Sequence, residues 1–349
     1  MALDPAARQE TLERARALYE GREYRALVDH LSPLPRSDLL ADPELAFWLA
    51  DGWRRLGERD QALELTRAFA PVCRRRGNDR LNRNRLNLEG MLLFERGDVM
   101  EAQAQWQELH EAASEAADDE FVARATNNLG VVFTLQGAPA QALLSYGRAM
   151  TAYQRLGQRR GLAQAHHNAG IQYAELGFLR EADAHFRQAT EYARADGSED
   201  EVARTEQERA LLWLYRGDAR LAEATARTSL RCFRSLGDAG GEGLALRVLG
   251  LIALADARRE EARRHLDAAL ALARRTRDAL LEAETLEALA AVENEHGEAA
   301  AAAAARRRAD DLFDALGARS WGERVRTRVA SIVAAGRRSA APDAADAGD

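Results

Sequence analysis

The stretch from Arg124 to Ala189 holds two successive copies of one pattern. The first reads Thr126-Asn127-Asn128-Leu129-Gly130, then Phe133, Gly137, Ala142, Tyr146 and Ala149; the second reads His166-His167-Asn168-Ala169-Gly170, then Tyr173, Gly177, Ala182, Phe186 and Ala189. Every position recurs after 40 residues. The turn glycine continues outward as Gly57, Gly97, Gly217 and Gly297, with Ala257 standing in for the missing member. The small residue seven places before it recurs as Ala50, Gly90, Ala210, Gly250 and Ala290. A fixed period of this length is the signature of stacked repeats.

A second series, Gly77, Gly157, Gly197, Gly237 and Gly317, closes most units, and leucine precedes three of its members (Leu156, Leu236, Leu316). That is how a helix ends on a left-handed glycine with an apolar contact. Two breaks per period leave two helices of roughly 15 residues each, the usual globular length. Within a unit the first helix sets Thr126, Leu129, Gly130 and Phe133 on one stripe, and the second, starting near Ala140, buries Leu143, Tyr146, Ala149 and Tyr153. Small residues on the stripe let two helices approach, with an aromatic filling the groove. The expected fold is all-α, an α-solenoid of stacked antiparallel helical hairpins in which each unit leans on its neighbours.

Residues 1–41 read as an N-terminal capping hairpin, slightly out of register, ended by Ser32-Pro33-Leu34-Pro35. The array runs over 42–317 as about seven repeats, opening on Asp42 as an N-cap before Pro43. Residues 318–335 are expected to form a C-terminal capping helix, and 336–349, small and acidic, a disordered tail. The unit around 283–309 has Arg306 where an aromatic belongs and an alanine run from Ala299 to Ala305, so it is expected to be the weakest.

The chain has 349 residues and a formal net charge of -7, from 56 acids against 49 bases, every base being arginine. A nucleic-acid binder normally carries a net basic domain, so none is expected as partner. No apolar run reaches the length of a membrane span. The N-terminus lacks the basic and apolar regions of a signal peptide. Cys73 and Cys232 fall on second helices of different repeats, too far apart to bridge if the repeats stack; two buried thiols suit a reducing cytoplasm.

Catalytic signatures are absent. Without lysine there is neither a Walker-type phosphate loop nor a Schiff base. The cluster Gly237, Gly240, Gly241, Gly243 looks like a dinucleotide loop but follows a helical unit, and reads as a long inter-repeat turn. His166 and His167 are adjacent, not four apart as helical metal pairs are, and no His-Glu-x-x-His occurs. Glu282, Glu284 and Glu287 read as a solvated face. No catalytic residue, metal or cofactor is therefore expected.

The recurring order of small residue, aromatic, turn glycine, alanine and aromatic resembles the tetratricopeptide repeat. Its length and the Asn-Asn-Leu-Gly wording are similar to the longer variant found in kinesin light chains and in sensor regions of large bacterial transcriptional activators. The resemblance implies a right-handed superhelix that binds peptides or proteins on its concave face, and no reaction.

In this family the side of the first helix opposite the packing stripe lines that face. Here it reads Asn84, Asn87 and Met91; Arg124, Asn127, Asn128 and Val131; Gln164, His167, Asn168 and Ile171; Arg204, Gln207, Glu208 and Leu211; Arg247 and Leu251. An amide offers donor and acceptor together and so matches a peptide unit of any sequence. The apolar ladder from Met91 to Leu251 would take side chains. The bland alternative is that the polar groups are solvated and the ladder is buried between helices. Asn128 and Asn168 match the asparagines that hold peptide backbones in kinesin-light-chain-type grooves, and Glu208 interrupts the series. Val131 and Ile171 stand where a carboxylate clamp needs asparagine, which argues against that mode. Two functions follow: a non-enzymatic scaffold for a peptide or partner segment, with homo-oligomers possible, or a sensor that controls a separate output protein. Inward-facing Arg124, Arg204 and Arg247 are expected to make the middle of the groove neutral or positive, and Glu284, Glu287 and Glu295 to make its far end negative.

Overall fold

A computed structural model describes residues 5–21, 23–77 and 79–340. Among them there is no strand. The opening helices are α1 (Pro5–Glu20), α2 (Tyr24–Leu31) and the short α3 (Arg36–Ala41), which follows the proline-rich stop. Hairpins then succeed one another: α4 (Pro43–Arg55) with α5 (Arg59–Arg76), α6 (Arg80–Arg96) with α7 (Val99–Glu115), and α8 (Asp119–Leu135) with α9 (Pro139–Leu156). The series continues as α10 (Arg159–Glu175) with α11 (Leu179–Asp196), α12 (Glu199–Tyr215) with α13 (Ala219–Leu236), α14 (Ala239–Ala255) with α15 (Arg259–Thr276), and α16 (Ala279–Glu295) with α17 (Ala299–Ala315). A last helix, α18, runs from Arg319 to Ala340. It passes beyond Gly336, where the sequence suggests a tail; residues 341–349 lie outside the described residues.

The breaks fall where the register puts them. Gly57, Gly97, Gly137, Gly177, Gly217 and Gly297 all have positive φ, and Ala257 adopts 55° in the same place. The second series is completed by Ala117 (50°) and Arg277 (54°), non-glycine residues held left-handed by the helices on either side. Asp42 caps α4, its Oδ1 accepting from the Glu44 amide at 3.2 Å. The glycine cluster departs from expectation. Only Gly237 is in a turn; Gly240, Gly241 and Gly243 are helical within α14, because Asp238 accepts the Gly241 amide at 2.9 Å and starts the helix at once.

The chain divides into two compact units, Met1–Ala125 and Thr126–Asp349. In the first, Leu27, Leu31, Leu45, Leu49, Phe69 and Leu86 are fully buried. There the phenol of Tyr19 donates to Asp51 at 2.8 Å, and Arg54 donates to the same carboxylate at 2.9 Å.

In the second unit the small residues do what the pattern requires. A Cβ on Gly130 would lie 2.6 Å from the Tyr146 ring, and one on Gly170 2.6 Å from the Phe186 ring. The helices are therefore closer than any larger residue permits. Tyr146 and Phe186 are buried, and the Tyr146 hydroxyl is satisfied by Thr134 Oγ1 at 2.9 Å. Neither cysteine forms a disulfide; Cys73 is buried, whereas Cys232 is only half-buried, contrary to expectation. No described helix is long and apolar enough to cross a membrane.

Candidate functional site

The first helices of the second unit carry the polar positions in rows one period apart. Asn168 and Asn128 are half-buried, as are Val131, Ile171, Gln164 and His167, whereas Asn127, Gln207, Leu211 and Arg247 are buried. The rows are joined from helix to helix. Asn168 Nδ2 donates to Asn127 Oδ1 at 3.3 Å, linking α10 to α8. His167 Nδ1 lies 3.2 Å from Thr205 Oγ1, and Gln164 donates to Glu201 at 2.7 Å, linking α10 to α12. Burial is the main reason the His167 imidazole is pulled down to about 4; Glu201 opposes the shift and Arg204 adds to it. His166 points elsewhere, to His185, their Nδ1 atoms 3.1 Å apart.

Further along, Gln207 donates to Glu208 at 3.0 Å, and Arg247 meets Glu284 at 3.0 Å while its Nε is buried without a hydrogen-bond partner. Burial pushes Glu208 up to about 7, against the pull of Arg247 and with the repulsion of Glu284. In the first unit Asn84 and Asn87 are half-buried on α6, with Asn87 Nδ2 3.9 Å from the Met91 sulfur, and Arg124 pairs with Glu120 one turn earlier.

The arginines expected in the middle and the glutamates expected at the far end are both paired, which agrees with a neutral middle and departs from a negative far end. Arg204 is spent on Asp238 at 2.8 Å and Arg247 on Glu284. At the other end Glu287 is held by Arg326 and Glu295 by Arg259 at 3.0 Å. Apart from Arg124, which pairs within its own helix, these charges meet partners one or more helices away, which a reading of single helices cannot see.

Sequence reasoning also missed Glu175. It takes the register place of Leu135 and Tyr215, its side chain is 4% exposed, and Arg324 Nε donates to it at 3.1 Å. Its column also holds Arg55, Glu95 and Glu295, so the sequence carried no signal that set Glu175 apart.

Residues 84–155 match the family model of the tetratricopeptide repeat. Among solved structures, a Rap protein complexed with competence and sporulation factor is 15% identical, with a TM-score of 0.63 over 94% of this chain and 99% of that one. NprR in complex with its cognate peptide NprX is 14% identical, with a TM-score of 0.57 over 84% of this chain and 88% of that one. The Rap conjugation gene regulator of the plasmid pLS20, solved with a peptide, is 13% identical, with a TM-score of 0.55 over 93% and 97%. At these identities the likeness is one of fold. No curated protein matches the sequence. The conclusion is one of repeat and fold: residues 84–155 match the tetratricopeptide repeat, and the described chain shares with these solved structures a fold of successive helical hairpins.

Proposed function

We propose that the chain is a non-enzymatic scaffold that binds a peptide or extended partner segment along the face lined by its first helices. In the second unit that face would comprise Asn127, Asn128, Val131, Gln164, His167, Asn168, Ile171, Arg204, Gln207, Leu211 and Arg247. Asn84, Asn87 and Arg124 hold the equivalent register positions in the first unit. The observation that carries the reading is the row of amides one period apart. Asn128 and Asn168 are one period apart, and Asn168 donates an N–H to Asn127, the neighbour of Asn128 on α8. Successive amides so placed can pair with a peptide backbone whatever its side chains, while Val131 and Ile171 offer apolar contact beside them. NprR, of the same fold, holds its cognate peptide.

A regulatory reading, in which the ligand shifts the repeats and controls a separate protein, is favoured by the likeness to a conjugation gene regulator. It requires the same binding step.

Display of random peptides against the immobilised full chain tests that step. Enriched peptides are expected to bind at least about fivefold more weakly to the Asn128→Ala, Asn168→Ala double variant, since each lost hydrogen bond is worth roughly 0.5–1.5 kcal/mol. Equal affinity for parent and variant, with an unchanged helical signal, refutes the reading.

A further inference from the structure

In the second unit the last helix returns across several of the first helices. By register α18 is simply the next first helix, and a helix that only ended the stack would touch α16 and α17. It packs on α14 as well, and reaches α8 and α10 through side chains more than a hundred residues away in sequence. Its contacts fall on inner-face columns: Glu284 shares a column with Arg124, Gln164 and Arg204, and Glu287 with Asn127, His167, Gln207 and Arg247.

Every group that the face presents to α18 in these bonds is an acceptor. Trp321 Nε1 donates to Glu284 at 2.6 Å. Arg326 Nε donates to Glu287 at 3.1 Å. Arg324 donates to Glu175 at 3.1 Å and to the Thr134 carbonyl at 2.9 Å, and Arg328 pairs with the same Glu175. Between these arginines an apolar stripe of Trp321, Val325, Val329 and Ile332 is buried. The guanidinium groups of Arg324 and Arg328 lie 5.2 and 5.1 Å from the Trp321 ring centre. An amphipathic helix laid in a groove is read through such i, i+4, i+8 anchors. Charge-assisted bonds to carboxylates are roughly twice as strong as neutral ones. A buried Glu175 stripped of its arginines would be left uncompensated, so the face discriminates against helices that lack them.

We propose that the inner face of the second unit is a receptor for an arginine-flanked amphipathic helix, that α18 is its resident occupant, and that a partner helix of the same chemistry binds there by exchanging with α18. The proposal rests on the functional reading above, that this is the ligand face, and names its ligand class. A tethered helix competes at an effective concentration of order millimolar, so a partner must match α18 closely or meet it when loosened.

The probe is a labelled peptide with the sequence of Arg319–Ala340, RSWGERVRTRVASIVAAGRRSA. It is titrated by fluorescence anisotropy into the full-length chain and into a full-length Arg324→Ala, Arg328→Ala variant. The variant is expected to bind the peptide at least tenfold more tightly than the parent, and to bind a peptide carrying the same two alanines at least tenfold more weakly than the native peptide. Equal binding by parent and variant, or indifference to the peptide's arginines, overturns the proposal. Because the double variant could lose structure, hydrogen exchange on the unmodified chain gives a second readout. Saturating peptide should speed exchange in α18 and leave α14 and α16 unchanged; exchange in α18 unmoved by the peptide overturns the proposal too. If the arginine peptide fails while a displayed peptide still depends on Asn128 and Asn168, this inference falls and the scaffold reading stands.

Discussion

At the scale of single residues, packing was legible and partnership was not. Gly130 and Gly170 announce a close approach through the aromatic 16 positions on, and the rings of Tyr146 and Phe186 do fill the space a Cβ would need. Gly130→Ala should therefore destabilise the chain by about 1–3 kcal/mol through overpacking, read as a lower denaturation midpoint; an unchanged midpoint would show that the ring can step aside. Charges were harder, because the partners of Arg204 and Arg247 lie on the following first helices, outside any single-helix wheel. Glu208 gives the clearest pH prediction. Its folded value of about 7 is above the ordinary 4.5, so its contribution to stability is full below about 4.5 and is lost as pH rises through about 7. Glu208→Gln should accordingly raise the thermal midpoint relative to the parent at pH 8, and the gain should shrink at pH 5. A gain independent of pH contradicts the buried-carboxyl account.

At the scale of elements, boundaries were legible wherever a turn carried glycine. They blurred where another residue had been forced into the same conformation, as at Ala117 and Arg277. The cluster in α14 misled because glycine spacing suggests a turn, while the decisive signal was Asp238 as a cap. The helices differ in what they bury. α9 buries Ala142, Tyr146, Ala149 and Tyr153, whereas α17 buries only Ala302, Ala309 and Phe313, with Arg306 in the aromatic column reaching toward Glu287. A large buried side chain is worth roughly 1.5–3 kcal/mol, which alanine cannot match. Amides of α17 should exchange before those of α9 under native conditions, since opening follows local burial. Equal protection of the two helices would mean that α16 and α18 hold α17 as firmly as its own packing would.

At the scale of the whole molecule, a 40-residue period was enough to read the succession of helical hairpins along the chain, because within each unit consecutive helices make the main contacts. The return of α18 to Thr134 and Glu175 could not be read the same way. It depends on small rotations summed over several hairpins, and Arg324 and Glu175 belong to no shared column. The candidate site was half legible: the columns of Asn127, Asn128 and Asn168 follow from the period, but the burial of Asn127, Gln207 and Arg247 follows from how the helices close on one another. The central claim is that ligand lies on the first-helix face. Photocrosslinking measures it most directly, with benzoylphenylalanine placed at Ile171 on that face or at Leu144, an exposed residue of the second helix α9. With a display-selected peptide bound, the account predicts a crosslink from position 171 and none from 144; a crosslink from 144 alone would contradict it.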